Sequence, residues 1–287
     1  MDIWTAAQIQ KTNGTRGRGN SSNGQSVYGI KKLRELILEL AVRGKLVPQD
    51  SNDEPASLLL EKIAKEKKRL IKEGRIKKEK PFSEISEDEK LFKLPMGWEW
   101  VRIGELGIHQ TGTTPPSKDR NNFGDYIPFI GPGDIKNGLV DYSGEGLSEI
   151  GLLKGRLIEK ASVLMVCIGG SIGKHAVNDI DITCNQQINT LTPYRPVSVK
   201  FLFRAMAANS FQGVVRSQAG GSATPIINKQ KWSSIPIPLP PIAEQHRILA
   251  KVDELMAVCD TLKARLNDTQ TTQIQLADTI VEQAAVA

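Results

Sequence analysis

Apolar residues recur along this chain in three rhythms, and each predicts a different kind of element. From Ile30 the spacing is helical, with Ile30, Leu33, Ile37, Leu40 and Ala41 on one face, and Gly44 and Pro48 close the helix. A second helix is announced by Asn52 or Asp53 as cap with Pro55 in the first turn. Leu58, Leu59, Ile63, Leu70 and Ile71 give it an apolar stripe, and it stops near Gly74. Residues 78–93 carry no such rhythm and predict a polar linker. At Leu94-Pro95 the pattern changes to short β-rich runs between turn residues, at 98–103, 126–130, 162–168, 187–192 and 234–239, with a short helix over 201–211. After Pro240-Pro241 there is no Gly or Pro up to Ala287. Steps of four and three from Ile248 reach Val252, Leu255, Cys259, Leu262, Leu266, Thr269, Gln273, Leu276, Ile280 and Gln283, a coiled-coil-like seam. A helix that long, about 68 Å at 1.5 Å per residue, outruns the domain before it and needs a partner helix.

These rhythms predict an α+β protein with four parts. Residues 1–27, rich in Gly, Ser, Asn and Thr, bury too little apolar surface to order themselves and read as a flexible arm. Residues 28–93 are a helical region and linker, 94–240 one mixed α/β domain, and 241–287 the long helix. Leu33, Ile37, Glu39 and Ala41 recur at the same spacing as Leu276, Ile280, Glu282 and Ala284, which suggests that the flanking helices are related and pack together.

Charge adds a location to this outline. The net charge is +6 over 287 residues, and the window 61–80, with ten Lys/Arg against four Glu, supplies all of it. Between Asp181 and Glu244 there is no acidic residue, yet Arg195, Lys200, Arg204, Arg216, Lys229 and Lys231 lie there, a stretch that does not repel a polyanion. Cys167, Cys184 and Cys259 are odd in number and widely spaced, so they imply buried thiols and a reducing cytoplasm, not a disulfide framework. No run approaches the length of an apolar membrane span.

The candidate chemistry is mostly negative. Gly169-Gly170-Ser171-Ile172-Gly173-Lys174 resembles a phosphate-binding loop, but Ile168 stands where its first Gly belongs and His175 replaces the magnesium-binding hydroxyl. The glycines serve either a tight hairpin or close approach of a DNA backbone. Asp119 with Asp134-Ile135-Lys136 has a loose nuclease-like spacing and leaves a magnesium-dependent endonuclease as the alternative function. His109, His175 and His246 lie on separate elements without metal-ligand spacing. What remains is a recognition surface. Gln110, Thr111, Thr113, Thr114 and Lys118 form a polar loop with a basic end, and Gln186 and Gln187 offer amides for adenine in the major groove. Ser171 and Lys174 lie in the glycine-rich turn, and Arg216, Gln218, Gly221, Thr224, Lys229 and Lys231 lie in the acid-free stretch.

At this point the residues resemble a family, the specificity (S) subunits of type I restriction-modification systems. The resemblance rests on ordered pieces: Leu94-Pro95-Met96-Gly97-Trp98, Thr111-Gly112-Thr113-Thr114-Pro115, Tyr126-Ile127-Pro128-Phe129-Ile130 and Gly133-Asp134-Ile135. It continues through Gly170-Ser171-Ile172-Gly173-Lys174, Asn185-Gln186-Gln187 and Ile235-Pro236-Ile237-Pro238-Leu239-Pro240-Pro241 to Ala243-Glu244-Gln245. It implies a target-recognition domain that reads one half of a bipartite site in double-stranded DNA without catalysis of its own. It also implies methyltransferase (M) subunits that bring S-adenosylmethionine and restriction (R) subunits that use ATP and magnesium, so this chain itself needs no cofactor. Leu33, Ile37, Ile248, Val252, Leu255, Leu262, Leu266, Leu276 and Ile280 are the expected subunit interface. The family usually carries two recognition domains and this chain has one, which implies either pairing with a second copy or a piece of a longer chain.

Overall fold

The computed structural model describes residues 21–221 and 224–286. The helices are α1 (Ser21–Val42), α2 (Ala56–Lys72), α3 (Glu149–Lys154), α4 (Val199–Ala207), α5 (Asn209–Gln218), α6 (Lys229–Ser233) and α7 (Ile242–Val286). The strands are β1 (Glu99–Arg102), β2 (Gly107–Thr111), β3 (Phe123–Gly124), β4 (Phe129–Ile130), β5 (Ile135–Lys136) and β6 (Leu139–Val140). They continue as β7 (Gly146–Leu147), β8 (Val163–Val166), β9 (His175–Val177), β10 (Thr183–Cys184), β11 (Ile188–Pro193) and β12 (Pro236–Leu239). The mixed α+β class expected from the rhythms is what forms. The chain divides into two units, residues 35–256 and a second made of 1–34 with 257–287. Most of the expected arm over 1–27 lies outside the described residues, and from Ser21 onward its last residues belong to α1.

In the larger unit an antiparallel four-stranded sheet runs in the order β2-β11-β8-β9. All four residues of β8 are buried, which is why this strand reads as an unbroken apolar run and not as an alternation. A cluster of Ile130, Ile135, Ile158, Leu164, Val166, Ala176, Ile182, Cys184 and Ile188 forms the heart of the core. Met165 accepts a hydrogen bond at its Sδ from Trp232 Nε1, 3.1 Å away. Strands β1 and β12 pair antiparallel and join the two ends of the domain sequence.

Three local expectations are corrected by tertiary contacts. The single helix over 201–211 is two, α4 and α5, broken at Ala208, whose backbone is extended. The break places the N-terminus of α5 against α1: the Ser210 N–H donates to Glu39 Oε2 at 3.1 Å and Asn209 Nδ2 to Glu35 Oε2 at 3.2 Å, anions at a helix start. Helix α2 begins without a side-chain cap, after Pro55. Neither Asn52 nor Asp53, the two expected caps, serves: Asp53 pairs with Arg247 of α7 (3.1 Å to Nη1), and that guanidinium holds its carboxyl below the ordinary range. The polar linker over 78–93 is pinned down by an arginine. Arg102, almost wholly buried on β1, donates to Glu89 at 2.9 Å, to the Glu84 carbonyl at 2.8 Å and to the Ser234 carbonyl at 2.7 Å.

Helix α7 passes through both units. Its start is clamped: buried Glu244 accepts from Trp98 Nε1 at 2.8 Å and from Gln49 Nε2 at 2.6 Å. In the second unit the guanidinium of Arg34 on α1 pairs with the Asp260 carboxylate on α7.

Candidate nucleic-acid interface

The polar segments singled out in the sequence meet at one end of the four-stranded sheet. Register pairs Thr111 with Asn189, Ile188 with Val166 and Met165 with His175. The C-terminal ends of β2 and β8 and the N-terminal ends of β11 and β9 therefore lie side by side. Three loops leave this end, 112–118, 167–174 and 185–187. A fourth segment, 219–228, joins them through a bridge between Ile168 and Ile226 and a bond from the Gly169 N–H to the Pro225 carbonyl at 2.9 Å. Within that segment Ser222 and Ala223 lie outside the described residues.

The loops are tied together at their bases. The Thr113 N–H donates to the Cys184 carbonyl at 2.8 Å, and Thr114 Oγ1 donates to Gln186 Oε1 at 2.6 Å. Gly112 sits where a Cβ would collide with the carbonyl oxygens of Cys184 and Asn185, so only glycine lets these two loops approach. The glycine-rich turn is the hairpin between β8 and β9, closed by Gly173 N–H to the Val166 carbonyl at 2.9 Å. A strand, not a helix, follows it, so it is not a nucleotide-binding loop. Gln212 on α5 donates to the Gly173 carbonyl at 3.0 Å and sets that helix alongside the turn.

Individual side chains differ from the sequence picture in instructive ways. Gln110 and Thr111 belong to β2, not to the loop: Gln110 Nε2 lies 3.4 Å from the Leu157 carbonyl and Thr111 Oγ1 donates to Asn189 Oδ1 at 2.7 Å. Asn185 Oδ1 accepts from the Gln187 N–H at 2.9 Å, which turns its Nδ2 toward Gln187 Oε1 at 3.2 Å. Each glutamine oxygen accepts one hydrogen bond and keeps a second lone pair, so Gln186 and Gln187 still have both Nε2 and Oε1 for a base edge. Lys118, Lys174 and Arg216 are exposed, as are Gly221 and Thr224, while Ser171 and Gln218 are half-buried. Among the described residues no carboxylate lies within 4.0 Å of Lys118, Lys174, Arg216 or Lys231, whereas Lys229 Nζ is 3.9 Å from Glu79. Lys229 and Lys231 stand on α6, beside the loop end.

Sequence reasoning missed Arg156, exposed, whose guanidinium donates to the Thr111 carbonyl at the end of β2. Nothing in the local pattern brings residue 156 to 111. The nuclease-like spacing is not a centre: Asp119 takes Lys154 at 3.2 Å, Asp134 accepts from the Gly131 N–H at 2.8 Å, and Lys136 pairs with Asp141 at 3.1 Å. Among the described residues no group of three or more His, Cys, Asp or Glu side chains could hold a metal. Burial lowers the pKa of His175 and of His109, and pushes the thiols of Cys167 and Cys184 up to about 12.

The expected interface residues split into two groups. Ile37, Ile248 and Val252 are buried, and Leu255 is half-buried. Leu33, Leu262, Leu266, Leu276 and Ile280 are exposed, at 38%, 40%, 41%, 60% and 57%. No helix among the described residues is long and apolar enough to cross a membrane.

Comparison with known proteins identifies the family. The family model for the type I restriction modification DNA specificity domain matches residues 95–269. The specificity subunit of the type I restriction enzyme EcoAI from Escherichia coli is 37% identical over 98% of this chain and 48% of its own length. That of EcoEI, also from Escherichia coli, is 34% identical with the same coverage. A solved structure concerned with complex assembly and conformational transition of the type I R-M system shares the fold, with a TM-score of 0.56 at 19% identity, over 98% of this chain and 67% of that one. The chain spans about half the length of the curated relatives it matches. By the family model and by identity over nearly its whole length, this chain belongs to the type I restriction modification DNA specificity family.

Proposed function

We propose that this chain reads one half of a bipartite site in double-stranded DNA and performs no chemistry on it. The observation that carries the reading is the convergence of four polar loops, with Lys118, Lys174 and Arg216 free of carboxylate partners among the described residues, at one end of the four-stranded sheet. Free cations position a duplex through its phosphates, and fixed side-chain donors discriminate base edges. Methyl transfer and cleavage belong to M and R subunits, which bring S-adenosylmethionine, ATP and magnesium and dock on the flanking helices. The exposed seam of α7 is where a further recognition module joins, either in a second copy or in the rest of a longer chain, and a two-fold pair of copies would demand a palindromic split site.

Selection from random duplexes by the full chain, with its M partner present, tests this. The expected result is a short enriched motif. Replacing Lys174, Arg216, Lys229 and Lys231 together by Ala weakens binding to specific and nonspecific duplexes alike and lowers the salt slope by about one unit per lost contact. Changing Gln110, Thr113, Gln186 or Gln218 narrows base preference by about 1–3 kcal/mol per lost pair and leaves nonspecific affinity nearly intact. No enrichment over a shuffled pool, or full binding by the four-alanine variant, overturns the reading.

A further inference from the structure

The strongest charge in the molecule lies away from the loop cluster. Helix α2 buries Ala56, Leu59, Ile63 and Leu70 and turns Lys65, Lys68 and Lys72 to solvent, at spacings of three and four that put them in one row. Lys62 on the same side is engaged by Glu54 at 2.5 Å, and Arg69 by Glu66 and Glu73 at 2.7 and 2.8 Å. Lys65, Lys68 and Lys72 have no carboxylate within 4.0 Å among the described residues, and neither do Lys77, Lys78 and Lys80 just beyond the helix. The window 61–80 carries the whole net charge of the chain, so this excess is not balanced elsewhere on average.

The row is rigidly placed. The Ala56 N–H donates to the Gly97 carbonyl at 2.8 Å, and Arg75, after the helix, lies 3.8 Å from Glu159. Glu66, Arg69, Leu70 and Arg75 line a cleft with Ile108, Thr192 and Pro193. That is the end of the β2–β11 pair opposite the loop cluster, about 17 Å away along β11 at 3.3–3.4 Å per residue.

Between the two ends, Lys229 on α6 and His109 in the middle of β2 meet at one carboxylate, Glu79, 3.9 Å and 3.5 Å away. The segment leading into α6 is itself joined to the loop end, by the Ile227 N–H donating to the Cys167 carbonyl at 2.9 Å. As a rod of about 26 Å, α2 spans seven or eight phosphates of one DNA strand at about 3.4 Å each.

We propose that the Lys65–Lys68–Lys72 face of α2 holds the sugar-phosphate backbone of DNA outside the bases that the loops read, independently of sequence. This rests on the recognition reading above and extends it from one contact region to two. Flanking duplex then adds affinity and salt sensitivity without adding to the motif.

The test compares the full chain with K65Q/K68Q/K72Q on a duplex that holds only the selected half-site and on one extended by about two turns on each side. On the short duplex the two proteins bind alike. On the long duplex the wild type gains affinity, and the variant loses that gain, on the order of tenfold at low salt, with a salt slope lower by about 2–3 units. The enriched motif is unchanged, and K65R/K68R/K72R restores the gain, since it restores charge alone. Circular dichroism of the variant matches the wild type, because the three side chains are exposed. Equal binding of variant and wild type on the long duplex overturns the inference. Loss of M-subunit capture with DNA binding intact overturns it too, by assigning the face to a protein. Selective binding of the short duplex with no gain on the long one overturns this inference alone, whereas no selective binding to either overturns the recognition reading with it.

Discussion

Helix α7 carries one apolar rhythm from end to end, and its two halves meet different fates. Up to Met256 the seam is spent inside the larger unit: Ile248 is 1% exposed and Val252 0%, and the helix start is tied by Glu244 to Trp98 and by Arg247 to Asp53. From Leu262 on, the same spacing leaves Leu262, Leu266, Leu276 and Ile280 exposed. Isolated exposed leucines are ordinary, but a row of them on one helix is the pattern of a coiled-coil seam. Periodicity thus reports that a face is to be buried, and only the fold says by whom.

That contrast predicts different losses from one kind of substitution. Val252→Asp places a carboxylate in a fully buried position with no cation arranged for it, which costs several kcal/mol against a total stability of about 5–15 kcal/mol. Thermal melting of this variant should show a large fall in Tm or no cooperative transition. A melt close to wild type would mean that the near half is not core.

Leu262→Asp with Leu266→Asp should give the next largest effect, on assembly and not on the fold. Each leucine is about two-fifths exposed, so the lone chain loses little. A partner helix that covers the remaining two-fifths gains about 0.6–1.2 kcal/mol for each, and the double variant forfeits this, and places carboxylates in the contact, on both sides of a pair. Light scattering should show the wild-type assembly lost while circular dichroism is unchanged. An assembly of wild-type mass from the double variant would show that pairing occurs elsewhere.

The same contrast explains what the sequence made legible. The strands of the core and the long helix were readable because Val163–Val166 and the α7 seam carry their own pattern. The polar loops were readable as loops, but not as neighbours: Thr113 meets Cys184, and Gly169 meets Pro225, only through sheet register. Gln110 and Thr111 read as loop in the sequence because β2 is polar at its end, and only pairing with β11 makes it a strand. The break at Ala208, the missing cap at Asp53 and the pinned segment over 82–93 share one cause: a distant charged residue, Glu39, Arg247 or Arg102, outweighs the local signal. The repeat between α1 and α7 shows the limit most directly, since Ile37 is 4% exposed and its counterpart Ile280 57%.

The smallest predicted effect separates the near half by pH. Burial raises the pKa of Glu244, against the hydrogen bonds from Trp98 and Gln49 and the charge of Arg247. Its contribution to stability is then fully present below its unfolded value, near 4.5, and is lost as pH rises through the raised folded value. Glu89 has the opposite sign: the Arg102 guanidinium beside it pulls its carboxyl down to about 2. Its contribution is present above pH 4.5 and lost as pH falls toward 2. Glu89→Gln should therefore flatten the acid limb of a stability profile between those values. Glu244→Gln should flatten the gentler decline above pH 4.5, and its Gln side chain can still accept from Trp98. Neither change touches the exposed seam, so the assembly measured by light scattering at neutral pH should be that of the wild type. Chemical denaturation followed across pH 2–7 decides the signs. An acid limb as steep in Glu89→Gln as in the wild type would move the acid sensitivity to another carboxylate, and a lost assembly in Glu244→Gln would show that the two halves of α7 do not act separately.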